Sequence, residues 1–308
     1  MSVQADKIAD LSREILELKK QNNAVILAHL YQRPEIQDIA DFVGDSLGLS
    51  QQAAATDAEI IVFCGVHFMA ESAAILSPDK LVLLPEMNAG CPMADMITAE
   101  QLREKKRQHP DAVVVCYVNS SAEVKAESDI CCTSANAVQV VQSIPADKQV
   151  IFVPDKNLGH YVSLKANRPV IFWEGYCNTH DRLALEDILA QKRMHPGAKV
   201  MVHPECRPEI VASADAVFST SGMIKYARES QDKEFIVGTE SGIMHQLSKE
   251  CPGKHFYMAS NKLVCPNMKS TTLEKVKWAL ETKEPKITVP EDIRLRAIAS
   301  LERMMAIK

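Results

Sequence analysis

A polar-x-polar signature recurs three times along this 308-residue chain, each time at the end of an apolar run. The runs are Val25-Ile-Leu-Ala-His29-Leu-Tyr31, Val113-Val-Val-Cys-Tyr117-Val-Asn119 and Lys199-Val-Met-Val-His203-Pro-Glu205. Seventeen positions after His29, Tyr117 and His203 stand Ser46, Ser134 and Thr220, and each hydroxyl follows an aspartate by five residues: Asp41, Asp129 and Asp215. A cysteine lies 45, 43 or 45 residues further on, just past another apolar run: Cys91, Cys177 and Cys265. The tips recur after 88 and 86 residues, far longer than the period of a solenoid. A unit of that length is a small domain, and the chain reads as one such domain written three times.

Within each unit, strand and helix signals alternate. Apolar runs predict strands at 25–28, 60–63 and 81–84, at 113–115, 150–153 and 170–172, and at 200–202, 234–237 and 256–258. Helical spacing or composition predicts helices at 5–20, 47–55, 68–76, 99–108, 134–142, 185–193 and 223–229. Residues 38–55 carry helix formers around Gly44, and the segments 154–159 and 238–242 read as loops. Two helices close the chain, one opened by the capping-box pattern Thr271-Thr-Leu-Glu274 and one with Pro290 in its first turn. Alternation of this kind indicates α/β architecture with parallel sheets. Ligands of such sheets bind beyond the carboxyl ends of the strands, and the repeated polar residues all fall there or at the helix starts that follow. The expectation is three αβα sandwich domains related by a pseudo-threefold axis around one central cavity. Their boundaries are 1–95 joined by the closing helices 270–308, then 96–180, then 181–269.

Net charge −5 and a pI near 6.0 give no electrostatic case for nucleic acid. No apolar run approaches the roughly 20 residues of a membrane span, and Met1-Ser-Val-Gln-Ala-Asp6 lacks the pattern of a signal peptide. A cytoplasmic protein is expected. Its nine cysteines are odd in number, scattered and without a Cys-x-x-Cys pair, which argues against a disulfide framework.

Six cysteines, Cys64, Cys116, Cys131, Cys132, Cys206 and Cys251, have no repeat partner and read as small buried hydrophobes. Cys91, Cys177 and Cys265 are different, because three thiolates converging on an axis make a metal site. A closed structural zinc site wants four ligands. Three cysteines around a four-iron cluster leave one iron without a protein ligand, free to act as a Lewis acid. A three-cysteine zinc site with bound water is the alternative.

Ser46, Ser134 and Thr220 read as helix N-caps. A helix N-terminus also offers free N–H groups and a positive dipole end to an anion. Three such ends around one cavity suit a substrate with several carboxylate or phosphate groups, and Gly44, Gly48 and Gly222 allow close backbone approach. The tips supply His29, Tyr31, Tyr117, Asn119, His203 and Glu205, and among these histidine, tyrosine and glutamate are the usual proton carriers. Glu205 is the candidate base. No Ser-His-Asp order, Walker loop or Gly-x-Gly-x-x-Gly supports a hydrolase, ATPase or nicotinamide reading.

Eleven segments together resemble the quinolinate synthase family over nearly the whole chain. They are Ala28-His-Leu-Tyr-Gln32, Gly44-Asp-Ser-Leu47, Gly65-Val-His-Phe-Met-Ala-Glu71, Gly90-Cys-Pro-Met-Ala-Asp95, Tyr117-Val-Asn119 and Cys132-Thr-Ser-Ala-Asn136. Pro154-Asp-Lys-Asn-Leu-Gly159, Trp173-Glu-Gly-Tyr-Cys177, His203-Pro-Glu-Cys206, Ser219-Thr-Ser-Gly-Met223 and Cys265-Pro-Asn-Met268 complete the set. The resemblance implies three αβα domains around a [4Fe-4S] cluster held by Cys91, Cys177 and Cys265. It implies condensation of iminoaspartate with dihydroxyacetone phosphate to quinolinate, phosphate and two waters, in de novo NAD biosynthesis. An aspartate oxidase or dehydrogenase would supply the iminoaspartate. Family substrate positions fall on His29, Ser46, Tyr117, Val118, Asn119, Ser134, His203, Pro204, Glu205 and Thr220. Catalytic roles fall on Glu205, Tyr31, His29 and His203. Leu30 departs from the residue found in many members. The longer Cys-x-x-Cys-x-x-Cys ending of some members is absent, and with it the grounds for expecting dithiol regulation. Two other classes stay open at this point. A cluster-dependent hydro-lyase would dehydrate without forming a carbon–carbon bond, and an iron–sulfur sensor would show no turnover.

Overall fold

Each unit folds around a four-stranded parallel sheet, and all three sheets have the same strand order. The computed structural model describes residues 3–307. The first unit contains α1 (Val3–Gln21), β1 (Ala24–His29), α2 (Pro34–Ile39), β2 (Phe42–Gly44), α3 (Ser46–Ala55), β3 (Ile60–Cys64), α4 (His67–Leu76) and β4 (Leu81–Leu83). The second contains α5 (Ala99–Gln108), β5 (Val113–Tyr117), α6 (Ala122–Ala126), β6 (Ile130–Cys132), α7 (Ala137–Ser143), β7 (Val150–Val153), α8 (Lys156–Ala166) and β8 (Ile171–Phe172). The third contains α9 (Asn178–Asp181), α10 (Leu185–Met194), β9 (Lys199–Val202), α11 (Pro208–Ser213), β10 (Ala216–Val217), α12 (Thr220–Glu229), β11 (Glu234–Gly238), α13 (Ile243–Glu250) and β12 (His255–Met258). Helices α14 (Leu273–Thr282) and α15 (Glu291–Ala306) close the chain. The sheets run β2-β1-β3-β4, β6-β5-β7-β8 and β10-β9-β11-β12.

Parallel strands are covered on both faces, so they read as unbroken apolar runs. Strand β3 is buried at every position. The first strand of each unit lies inside its sheet, and its carboxyl end carries the polar tip. One large apolar core passes through all three units. Smaller ones lie under α1 and α14 in the first unit and around β9 in the third.

The repeated aspartates have a structural task. Oδ2 of Asp41, Asp129 and Asp215 accepts the N–H of Ile26, Val114 and Val200, each at 2.8 Å. In return the aspartate N–H groups donate to the carbonyls of the same three residues, at 2.9, 3.1 and 2.9 Å. This clamp fixes where the second strand of each unit begins. It also explains a difference from the sequence reading, in which each unit had three strands. The short edge strands β2, β6 and β10 are set by pairing with a distant strand, not by their own composition.

Several helix boundaries differ in the same way. Asp45, not Ser46, caps α3, accepting from Gly48 N at 3.0 Å. Ser219, not Thr220, caps α12, accepting from Gly222 N at 3.3 Å. Ser134 lies in a turn before α7, which starts at Ala137. Asp155 caps α8 where a loop was expected. Helix α14 is capped by Thr272, not Thr271, and Pro290 is the cap residue of α15, not its first helical residue.

The two closing helices serve different units. Helix α14 seals the first, where Asn22 Nδ2 donates to Leu280 O at 3.2 Å. Helix α15 lies along α6, where Ser300 Oγ donates to Lys125 O at 3.1 Å and Arg296 pairs with Glu127 at 2.6 Å.

The clamp yields a test. Val114 is fully buried, so Asp129→Ala leaves its N–H without a partner and should cost about 1–3 kcal/mol. Urea unfolding measures the loss, and wild-type stability for the variant would show that the clamp contributes nothing.

Candidate active site

The three tips, the three hydroxyls and the three repeated cysteines line one cavity of about 260 Å³. The first unit contributes His29, Tyr31, Ser46 and Cys91, the second Tyr117, Asn119, Ser134 and Cys177, the third His203, Glu205, Thr220 and Cys265. Val118 and Pro204, the central residues of two tips, are buried and are not among the lining residues. The repeat pattern thus brings its polar members together.

Glu205 sits at the centre and is almost fully buried. Tyr117 Oη donates to its Oε1 at 2.5 Å, and His180 Nδ1 lies 2.6 Å from Oε2. Burial acts to raise the Glu205 carboxyl. The neighbouring His180 and His203, with the hydrogen bonds from His180 and Tyr117, outweigh it and hold the group down at about 2. Glu205 is therefore a carboxylate, the form that accepts a proton. Burial, and next the charge of Glu205, lift the phenols of Tyr31 and Tyr117 well above their ordinary value. Both stay neutral donors.

His29 and His203 share a local geometry that follows from the tip motif. Nδ1 of His29 accepts the N–H of Tyr31 at 3.1 Å, and Nδ1 of His203 that of Glu205 at 3.3 Å. In the neutral ring that leaves Nε2 as the donor, and His203 Nε2 lies 3.1 Å from Ser134 Oγ. Burial pushes both rings down to about 3.

His180 escaped the sequence reading. Its Nδ1 also lies 3.1 Å from Cys177 Sγ, and its Nε2 lies 2.8 Å from Thr239 Oγ1. Thr239 Oγ1 is 2.5 Å from Tyr31 Oη. A continuous chain of exchangeable protons runs Glu205–His180–Thr239–Tyr31. One signal was available, because His180 follows Cys177 by three residues, one helical turn. Arg182 was missed as well, and it is the one arginine or lysine among the lining residues. Asn119 Oδ1 is buried without a hydrogen-bond partner, so the cavity presents an open acceptor.

Two helix ends face the cavity. The first N–H groups of a helix have no intrahelical partner. In α3 and α12 the caps occupy only those of Gly48 and Gly222. The second unit presents Ser134 on a turn instead, braced by Thr133 N–H donating to Asn136 Oδ1 at 2.9 Å.

The cysteines fit a thiolate-bound metal centre. Each sulfur meets backbone N–H groups two or three residues on: Met93 and Ala94 for Cys91, His180 for Cys177, Asn267 and Met268 for Cys265. Burial still raises all three thiols, Cys91 to about 12. A cationic centre among them reverses that balance, since metal binding deprotonates its thiols. Asn267 Nδ2 donates to Gly90 O at 2.7 Å and ties two of the cysteine loops together. Cys177, His180 and Glu205 also place three ligand atoms within 4.8 Å of one another, a second group able to hold a metal.

Comparison with known proteins decides the family. The model of the family described as quinolinate synthetase A protein matches residues 13–306. The quinolinate synthase of Desulforudis audaxviator is 60% identical over 298 residues, covering 97% of this chain and 98% of that protein. The quinolinate synthase of Methanosarcina barkeri is 59% identical over 300 residues, with the same coverage. That of Geobacter metallireducens is 58% identical over 305 residues and 99% of both chains. The chain belongs to the quinolinate synthase family. Membership makes it an enzyme of NAD biosynthesis. As in the sequence reading, no helix among the described residues is long and apolar enough to cross a membrane.

The buried histidines of this family member make its stability pH-dependent. Their folded values lie near 3, below the ordinary 6.5, so the unfolded chain binds the proton first as pH falls. Stability is then full above pH 6.5 and is lost as pH drops towards 3. Between pH 7 and 5 each such histidine costs about 2 kcal/mol. His203→Asn should therefore lose about 2 kcal/mol less than wild type over that interval in urea unfolding. Equal losses would contradict a neutral, buried His203.

Proposed function

We propose that the chain condenses iminoaspartate with dihydroxyacetone phosphate into quinolinate, releasing phosphate and two waters, as a step of de novo NAD biosynthesis. The observation that carries this reading is the meeting in one cavity of three cysteines, three hydroxyl-bearing strand or helix ends and a buried glutamate met by Tyr117 and His180. Cys91, Cys177 and Cys265 would hold a [4Fe-4S] cluster. When bound, such a cluster supplies a Lewis-acidic iron that assists loss of a hydroxyl as water.

The chain's own residues bind, orient and move protons. Two carboxylates and one phosphate match the ends at Ser46, Ser134 and Thr220, with Arg182 as the added cation. His29 and His203 donate from Nε2 without carrying charge, and Tyr117 and Asn119 complete the polar lining. Val118 and Pro204 act through the backbone, setting the spacing of the tips. Glu205 takes a carbon-bound proton, and His180, Thr239 and Tyr31 offer it a path away from the carboxylate. The domain boundaries expected from the sequence, 1–95 with 270–308, 96–180 and 181–269, belong to this reading except that α15 packs on the second unit, and each domain brings one cysteine and one tip. An aspartate oxidase or dehydrogenase would furnish iminoaspartate. A cytoplasmic setting accords with nine free cysteines.

The Cys177–His180–Glu205 group favours a second reading, a single metal ion bound there. Against it, His180 Nδ1 and the Glu205 carboxylate lie 2.6 Å apart, the distance of a charge-assisted hydrogen bond. Metal analysis separates the two. Anaerobically prepared protein should carry iron and sulfide. Cys91→Ser, Cys177→Ser and Cys265→Ser should each lose them, and Cys206→Ser should keep them. His180→Ala should keep them too, whereas stoichiometric zinc lost on that change would favour the single ion. Cluster-replete Glu205→Gln should bind substrate and lose turnover by about a hundredfold or more. Near-normal quinolinate formation would remove Glu205 from the base role.

A further inference from the structure

Directly after β11, beside the relay residue Thr239, stands a carboxylate that the proton chemistry leaves unused. Glu240 is fully buried. Its Oε1 accepts the N–H of Cys265 at 3.1 Å and the hydroxyl of Ser241 at 3.3 Å. Its Oε2 accepts the N–H of Gly242 at 2.7 Å and the ammonium of Lys269 at 3.0 Å. Lys269 lies four residues beyond Cys265, and its N–H donates to Cys265 O at 3.3 Å. The same ammonium reaches into the first unit and donates to Tyr31 O at 2.5 Å. Arg33 Nε holds the Lys269 carbonyl at 2.7 Å.

The fit around this pair is tight. A Cβ on Gly242 would lie 2.7 Å from both Lys269 Nζ and Tyr31 Cα, so only glycine lets the third-unit loop press against the first-unit tip. The second unit has Asp155 at the comparable place after β7. It is equally buried, but it spends Oδ1 on capping α8 and its Oδ2 has no partner. The first unit has Val66 there. At this place in the repeat, among the described residues, the third unit alone pairs its buried acid with a lysine that also reaches another unit.

We infer that the buried Glu240 and the partly buried Lys269 form a charge pair that positions Tyr31 against Cys265 and sets the electrostatic environment of the centre that Cys265 helps to hold. The inference rests on the proposed function, in which Cys265 is a ligand and Tyr31 a proton carrier. Glu240 lines the cavity, but both its oxygens are taken by the donors above, so it and Lys269 are positioning residues. Glu240 acts through the Cys265 amide, and Lys269 through the Tyr31 carbonyl.

Opposite charges give the test its sign. Glu240→Gln leaves a positive excess beside the centre and should raise the reduction potential of the reconstituted protein. Lys269→Met leaves a negative excess and should lower it, while the double variant should return towards wild type. Lys269→Arg, which keeps the charge, should hold the wild-type potential. Metal-free protein supplies a second readout. Lys269→Met should melt roughly 10 °C lower, because it strands the buried Glu240 carboxylate. Glu240→Gln, which leaves a partly exposed ammonium, should lose less, and the double variant should recover part of the larger loss. Turnover of Glu240→Gln should fall about tenfold with KM nearly unchanged, the mark of misplaced machinery and not of lost binding. Two single variants that shift the potential in the same direction, or not at all, overturn the inference. Failure of the underlying reading looks different, because Cys265→Ser would then keep its iron.

Discussion

A carboxylate out of reach of water must be met by donors, and at Glu205 those donors come from all around the molecule. Tyr117 arrives from the second unit, and His180 from the helix that follows Cys177. Asn157 Nδ2, from the start of α8, holds the Glu205 carbonyl at 3.2 Å. Behind His180 the contacts continue through Thr239 of the third unit to Tyr31 of the first. An unpaired charge in that position would be severely destabilising. The assembly of three units therefore depends on this network as much as the network depends on the assembly.

The scaffold is symmetric and the chemistry is not. Three sheets of identical strand order present their carboxyl ends, each clamped by the same aspartate contact. Equivalent positions are then filled differently. The tips end in Tyr31, Asn119 and Glu205, which act here as a neutral donor, an open acceptor and an ion. Two of the repeated hydroxyls stand at helix ends and the third in a turn. Triplication supplies equivalent places, and substitution within them makes the cavity chemically asymmetric.

Much of this was legible in the sequence because it rests on regular spacing. The seventeen-residue interval places tip and hydroxyl on the same sheet end, and the cysteines follow at nearly constant distance. What was not legible depends on contacts between distant residues. Phe42–Gly44 is three residues long and extended because Asp41 ties its start to Ile26. Ser46 and Thr220 look like caps, yet the residue before each takes that role and leaves the hydroxyl to the cavity. His180 has no repeat partner, so the pattern that exposed its neighbours could not expose it. Glu240 and Lys269 matter through the seam between units, and no local signal marks a seam.

The most direct measurement of the central claim is product formation by anaerobically reconstituted protein given iminoaspartate and dihydroxyacetone phosphate together. Quinolinate and inorganic phosphate should appear together in equal amounts, each dependent on both substrates. Protein that carries its full iron and sulfide yet releases phosphate without quinolinate, or forms neither, would contradict the account.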